Sequence, residues 1–318
     1  MSPKPQQSRQ MTALAAADSD PLSESYLFLV GSFRRKLLAE NKAPRTVQTY
    51  GEALRLFGEF LAGRGMPLAL PHIRREHVEA FMADQLDRYR PATAANRYRT
   101  LNLFFTWCVA EGEITRSPMQ RMQAPAVPVV PPPVLTADEL RRLFKACQGT
   151  LFRQRRDMAI IRLFVDTGMR LAELSGIQLD DLDREYNVVA VLGKNRRPRL
   201  CPFGRKTALA IDRYMRLRAQ REDAGRPELW LGSGGPMTVN GIGHAVRRRA
   251  AQAGVEHVHP HRFRHTFAHE WLAAGGAEID LMQLAGWHSR TMLTRYGASA
   301  AAERARDAHR RLALGDRF

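Results

Sequence analysis

The sequence predicts a mainly α-helical protein of two domains, with one small antiparallel β-sheet in the second. Apolar residues recur at helix spacing through most of the chain. A proline-dense run at 125–133 cuts that pattern in two. Only one stretch, 188–202, alternates as two strands about a turn. A chain of 318 residues is long enough for two separate cores. The expected layout is a leader at 1–20, a helical domain at 21–123, a linker at 124–135 and a second domain at 136–318 whose tail is 299–318.

The first domain reads as four helices. The stretch 25–39 puts Tyr26, Leu29, Val30, Phe33 and Leu37 at helix spacing. Ala43-Pro44 stops that helix and starts another, because proline suits the first helical turn. Val47, Tyr50, Leu54, Phe57 and Leu61 then form one stripe, ending at Gly63. Pro71 precedes a third helix with Val78, Phe81, Met82 and Leu86. Pro91 opens the fourth, with Tyr98, Leu101, Phe104, Phe105 and Cys108, closing near Gly112. Short connections make this a small bundle. Lys42, Arg45, Thr46, Thr93, Asn96 and Arg97 gather near helix starts. Any one of them reads as ordinary solvated surface; together they suit contacts to a phosphate backbone.

Proline at the density of 125–133 favours an extended, semi-stiff spacer. Thr136-Ala137-Asp138-Glu139 is a capping box and starts the second domain. A buried-looking helix over 156–166 stops at Gly168 and is followed by Arg170 and Glu173. Residues 188–192 read as a strand, 193–198 as a turn carrying Lys194 and Arg196, and 199–202 as the return strand. Helices follow from Lys206 and from Thr238, the latter carrying Asn240, His244, Arg247 and Arg248. Pro260-His261-Arg262-Phe263-Arg264-His265-Thr266 begins a helix through Ala273. A further helix runs through Leu281, Met282 and Leu284, and Trp287 and Tyr296 come after it.

Lys and Arg number 49 against 32 Asp and Glu, a formal +17. That excess favours a polyanionic partner, nucleic acid before membrane. The best apolar run, 158–165, is broken by Arg162, and residues 1–20 lack a signal-peptide core. Cys108, Cys147 and Cys201 form no metal or disulfide pattern, which fits a reducing cytoplasm. His261 and Arg264, three apart on one helix, offer a titratable imidazole and a planar guanidinium to one small target. That is apparatus for a phosphodiester. A zinc site is the competing reading of His257, His259, His261, His265 and His269. His269-Glu270 begins a zinc-protease box, but Ala273 stands where its second histidine belongs. Zinc also leaves the charge and the hairpin lysine unexplained, so no metal and no cofactor is expected.

Taken together, five motifs in order resemble the tyrosine recombinases of the phage-integrase family. Thr167-Gly168-Met169-Arg170-Leu171-Ala172-Glu173-Leu174 is similar to the family's first arginine motif. Gly193-Lys194 resembles its hairpin lysine, His261-Arg262-Phe263-Arg264-His265 its His-x-x-Arg-His box, and Leu284-Ala285-Gly286-Trp287 with Tyr296 its last two motifs. The family more often has a histidine where Trp287 stands; Trp287 keeps the nine-residue interval to Tyr296, and His288 falls one beyond it.

The resemblance implies a helical SAM-like core-binding domain joined to a catalytic domain. It implies a site-specific recombinase that works through a 3′-phosphotyrosine link and a Holliday junction. Tyr296 would be the nucleophile, Arg170 and Arg264 the charge stabilisers, His261 the base and Lys194 the general acid. Trp287 would donate to a phosphate oxygen, with Glu173, His265 and His288 in support. The expected partners are double-stranded DNA bearing a specific site, further copies of the chain (two on a site, four in synapsis) and, as an option, a related recombinase. No membrane partner is expected, and the location is the bacterial cytoplasm at the nucleoid. The layout resembles Xer-type resolvases and transposon or element recombinases alike. A non-catalytic DNA-binding protein and a type IB topoisomerase are the alternatives, and covalent capture of DNA by Tyr296 separates the first of them.

Overall fold

Capping residues and prolines set the ends of most helices. The computed structural model describes residues 22–128, 132–193, 198–287, 289, 293, 305–306 and 309–317. The chain divides into two units, Met1–Pro128 and Val129–Phe318.

The first unit holds α1 (Glu24–Ala39), α2 (Pro44–Gly63), α3 (Arg75–Arg88) and α4 (Pro91–Ala110). The Ser23 hydroxyl accepts the Tyr26 amide at 3.4 Å and caps α1. Prolines open α2 and α4, where no N–H is needed. The apolar stripes form the core. Phe57 meets Phe81 edge to face at 5.1 Å, and Phe33 meets Phe104 at 5.4 Å. Gly58 lets α1 lie close against α2, since a Cβ there would come within 2.7 Å of Leu22 and Tyr26. One expectation is corrected: Leu86 is 43% exposed, and Gln85 beside it is 3% exposed. Val78, Phe81, Met82 and Gln85 follow the i, i+3, i+4, i+7 face, and residue 86 falls off it. Gln85 is satisfied there by the Arg97 guanidinium, and it donates to Asp84 at 2.8 Å.

The second unit begins with α5 (Ala137–Ala146), α6 (Phe152–Thr167) and the one-turn α7 (Leu171–Ser175). Strands β1 (Leu182–Asp183), β2 (Val188–Leu192) and β3 (Pro198–Pro202) follow. Then come α8 (Arg205–Arg218), α9 (Val239–Gln252), α10 (Pro260–Ala273) and α11 (Glu278–Ala285). The capping box forms as read: Thr136 Oγ1 accepts the Glu139 amide at 3.1 Å and Glu139 accepts the Thr136 amide at 2.8 Å. Helix α6 is the hub, packed by α8, α9 and α10, with Phe164 stacked on Phe263 at 5.7 Å. The sheet order is β1-β2-β3, antiparallel throughout, with Val189 opposite Cys201 and Val191 opposite Arg199. Strand β1 and helix α7 are additions to the sequence reading; both are too short to show a period.

A buried ionic knot ties this unit together. Asp157 of α6, 1% exposed, takes Arg156 at 2.7 Å, Arg249 at 2.8 Å and Arg248 at 2.9 Å. Arg249 also donates to the Ala146 carbonyl at 3.1 Å, so the knot joins α5, α6 and α9. The three cysteines are buried and unlinked. No helix among the described residues is long and apolar enough to cross a membrane. Of the expected tail helix at 299–318, residues 299–304, 307–308 and 318 lie outside the described residues; 305–306 and 309–312 are helical, and Leu314–Arg317 is a 3₁₀ turn.

Candidate active site

The first site arginine is aimed by a helix stop and a helix start placed back to back. Helix α6 ends at Gly168 with φ 57°, a left-handed conformation that favours glycine. A Cβ at Gly168 would also lie 2.5 Å from the Phe267 ring. The chain turns there, and Arg170 becomes the residue that opens α7. Glu173, one turn on, accepts the Arg170 backbone amide at 2.7 Å and its guanidinium at 2.7 Å. The ion pair that competes with a functional reading of Arg170 is therefore present. It fixes the direction of a side chain that stays 32% exposed.

Glu173 has a second partner that sequence reading missed. Arg199 of β3 grips both carboxylate oxygens, at 2.9 and 2.7 Å, and its Nε donates to the Leu284 carbonyl at 3.0 Å. A faint signal existed. On a strand with period two, Arg199 shares a face with Cys201, which is buried, so a cation there needs a carboxylate. Burial alone would raise the Glu173 carboxyl, but Arg199 and Arg170 outweigh it and hold the pKa down to about 2.

That depression carries a stability prediction. Because the folded-state pKa lies below the ordinary value of 4.5, the contribution is complete above that value. It is lost as pH falls from there through about 2. Its size is about 3 kcal/mol. Thermal unfolding of wild type and Glu173→Gln should therefore show a gap that narrows as the buffer is acidified. A gap that stays constant across that window would count against the assignment.

The second site arginine comes from α10, which Pro260 opens. Arg264 is 2% exposed and donates to the Gly168 carbonyl at 2.8 Å and the Ala285 carbonyl at 2.5 Å. Its guanidinium lies 5.2 Å from the Trp287 ring centroid, and Trp287 is itself buried. His261 is exposed one turn earlier, its ring 5.4 Å from that of His265 and nearly perpendicular to it. The face expected to present imidazole and guanidinium together is thus split between surface and interior. Two backbone carbonyls, orphaned at the ends of α6 and α11, draw the arginine inward.

Between these motifs, Arg262 is 8% exposed and structural. It reaches both Glu139 oxygens at 2.9 Å and the Val134 carbonyl at 3.0 Å, locking the start of α10 to the start of α5. Arg170, Gly193, Arg199, Leu284, Gly286 and Trp287 line one cleft of about 490 Å³. Lys194, Arg196, His288 and Tyr296 lie outside the described residues.

The candidate DNA contacts fall in both units. Asn240, His244, Arg247 and Arg248 line the exposed side of α9 at 240, 244, 247 and 248. Arg248 is drawn partly toward Asp157, and Thr238 caps α9 by accepting the Gly241 amide at 3.1 Å. In the first unit, Lys42 pairs with Glu40 at 3.5 Å and Arg45 donates to Gln48 at 3.0 Å. Arg97 stacks on Tyr89 at 4.1 Å besides holding Gln85. Thr93 and Asn96 are exposed and Thr46 half-buried.

Two arginines wired to one loop, in a helical unit with a three-stranded sheet, define a class. The phage integrase family matches residues 133–303, and the N-terminal SAM-like domain of phage integrases matches residues 29–112. The chain belongs to the phage integrase family, the tyrosine recombinases, whose members are site-specific recombinases. Two tyrosine recombinases XerC are among its relatives. That of Roseiflexus castenholzii is 31% identical over 261 residues, 77% of this chain and 81% of the relative. That of Corynebacterium efficiens is 34% identical over 224 residues, 69% of this chain and 71% of the relative. The fold is that of the Tn1549 transposon integrase in complex with transposon right end DNA, at TM-score 0.71, 20% identity and coverage of 89% and 99%. It is also that of a lambda integrase dimer bound to a core site, at TM-score 0.68, 19% identity and coverage of 86% and 94%.

Proposed function

We propose that this recombinase cuts and rejoins duplex DNA at a specific site through Tyr296. The phenol oxygen attacks a backbone phosphorus, a 3′-phosphotyrosine ester forms, and the 5′ oxygen leaves with a proton. Attack of a second strand's 5′ hydroxyl reverses the step, so the bond energy is kept and no nucleotide cofactor is consumed. A free phenol has a pKa of about 10 and is a poor nucleophile at neutral pH. His261 accepts its proton, and Lys194 delivers one to the departing oxygen. Arg170 and Arg264 offset the charge that builds on the phosphate, work that a metal performs elsewhere. Trp287 closes the site against water, and Glu173 and His265 keep their neighbours in place.

The observation that carries this reading is the wiring of Arg170 and Arg264 to one loop. Arg264 holds the Gly168 carbonyl, and Arg170 stands two residues further on with Glu173 fixing its direction. Preorganised cations of this kind cost no rearrangement at the moment of reaction.

The helical unit at 21–123 and the catalytic unit at 136–318, joined by 124–135, hold the duplex through phosphates, so affinity falls steeply with salt. The α9 stripe and Thr46, Thr93, Asn96 and Arg97 are the base-reading candidates. Two copies occupy a site and four assemble across two duplexes, with the tail at 299–318 reaching a neighbour; a related recombinase can replace half of the copies. The work takes place in the cytoplasm, on nucleoid DNA.

The test is Tyr296→Phe, with a duplex recovered by the wild-type chain from a randomised pool and then nicked beside the cleaved bond. The variant should bind as wild type does and form no covalent adduct. A wild-type chain that selects a site and yet forms no adduct on it would overturn the enzyme reading and favour an accessory DNA-binding role.

A further inference from the structure

We propose that Arg199 is a positioning residue for strand cleavage, latching the β2–β3 strand pair to the two chain segments that carry Arg170 and Trp287. The proposal rests on the recombinase reading above.

Its guanidinium makes three hydrogen bonds at once, to two partners. Two nitrogens grip the two oxygens of Glu173, which in turn holds the Arg170 amide and side chain. The third, Nε, donates to the Leu284 carbonyl in the last turn of α11, three residues before Trp287. The Arg199 backbone lies in β3, paired with Val191 of β2, so the β2–β3 pair is the third segment held. Each segment comes from a different part of the chain, and nothing in local structure sets their spacing. From β3, a planar fork with five fixed N–H directions can hold both other segments at once; a lysine ammonium cannot.

The latch is buried enough to be rigid. Arg199 keeps 10% of its side-chain exposure and Glu173 keeps 4%. Both Arg170 and Arg199 line the cleft, and the Arg199 side chain also lies 3.4 Å from where a Cβ of Gly286 would be. Gly286 has φ 63°, so the turn into Trp287 favours a residue without a Cβ, beside the latch. The Glu173 carboxyl faces Arg170 from its own loop and Arg199 and Cys201 from β3, and Arg264 of α10 lies near Cys201. Burial raises the Cys201 thiol, which stays neutral, so the two arginines Arg170 and Arg199 are what keep Glu173 ionised.

Two variants test the latch on the nicked duplex selected by the wild-type chain. Arg199→Met should slow single-turnover cleavage by about a hundredfold, the cost of a misplaced reacting group, and leave DNA affinity unchanged. Without Arg199, the Glu173 carboxyl protonates at higher pH, so acid unfolding of the variant should begin at higher pH than that of wild type. Arg199→Lys restores the charge and should return that acid transition towards wild type while recovering only part of the cleavage rate, because the fork is gone. It also keeps the buried cation paired, so it remains informative if the methionine variant does not fold. Arg199→Lys cleaving at the wild-type rate, or an acid transition in Arg199→Met that stays where wild type has it, would overturn the latch. Parallel loss of binding and cleavage would do the same. A wild-type chain that forms no adduct fails the recombinase reading instead, and the two failures are distinguishable.

Discussion

Replacing Arg264 with alanine is expected to abolish strand cleavage and to destabilise the catalytic unit by about 4 kcal/mol. The residue is 2% exposed and donates to backbone carbonyls at the ends of α6 and α11. Removing the guanidinium leaves both carbonyls buried without that donor, at about 1–3 kcal/mol each, and opens a cavity under Trp287. The chemical cost expected from the proposed function is separate, because a charge assigned to offset that of the phosphate would be lost and the 168–170 loop loses its clamp. Arg264→Lys separates the two effects. An ammonium can serve one carbonyl but not both in the plane of a fork, so stability should partly return while cleavage stays absent. Urea unfolding of both variants alongside single-turnover cleavage makes the comparison. An alanine variant as stable as wild type would contradict the clamp geometry.

A comparable loss is expected from Asp157→Ala, on the far side of α6. Arg156 and Arg249 keep only 5% and 8% of their side-chain exposure, and this one carboxylate serves both. Breaking a buried pair by removing one partner costs about 3–5 kcal/mol, since the remaining charges stay out of water. Here two guanidinium groups are left behind. Arg248→Ala, by contrast, should cost less than about 1 kcal/mol, because its side chain is 45% exposed and solvent screens the pair. Chemical denaturation of the two variants checks the ordering. Equal losses would mean that the knot is held by something other than burial.

Much of this protein is legible in one dimension. The stripes at Tyr26, Phe33 and Leu37, or at Tyr98, Leu101 and Phe105, declare their helices because a helix face repeats within one turn. The Thr136 capping box and the Gly168 stop are local too, each closed within three or four residues. The family was legible because its motifs occur in order, and Arg170 and Trp287, from two of those motifs, line one cleft. Leu86 misled because a stripe one residue wide of the true face still looks apolar.

What could not be read was which of these segments would meet, and how. Arg199 finds Glu173 across 26 residues and Leu284 across 85, distances at which spacing carries no information. Arg248 looked like a free cation on a helix face until Asp157, 91 residues away, turned up beneath it. His261 and Arg264 read as one helix face offered to one target, yet Arg264 is drawn inward by carbonyls at the ends of α6 and α11. Residue order sets local shape because its forces act over one turn or one pleat. Pairing between remote charges waits on the packed core, which decides which carboxylate and which carbonyl lie within 3 Å of a guanidinium.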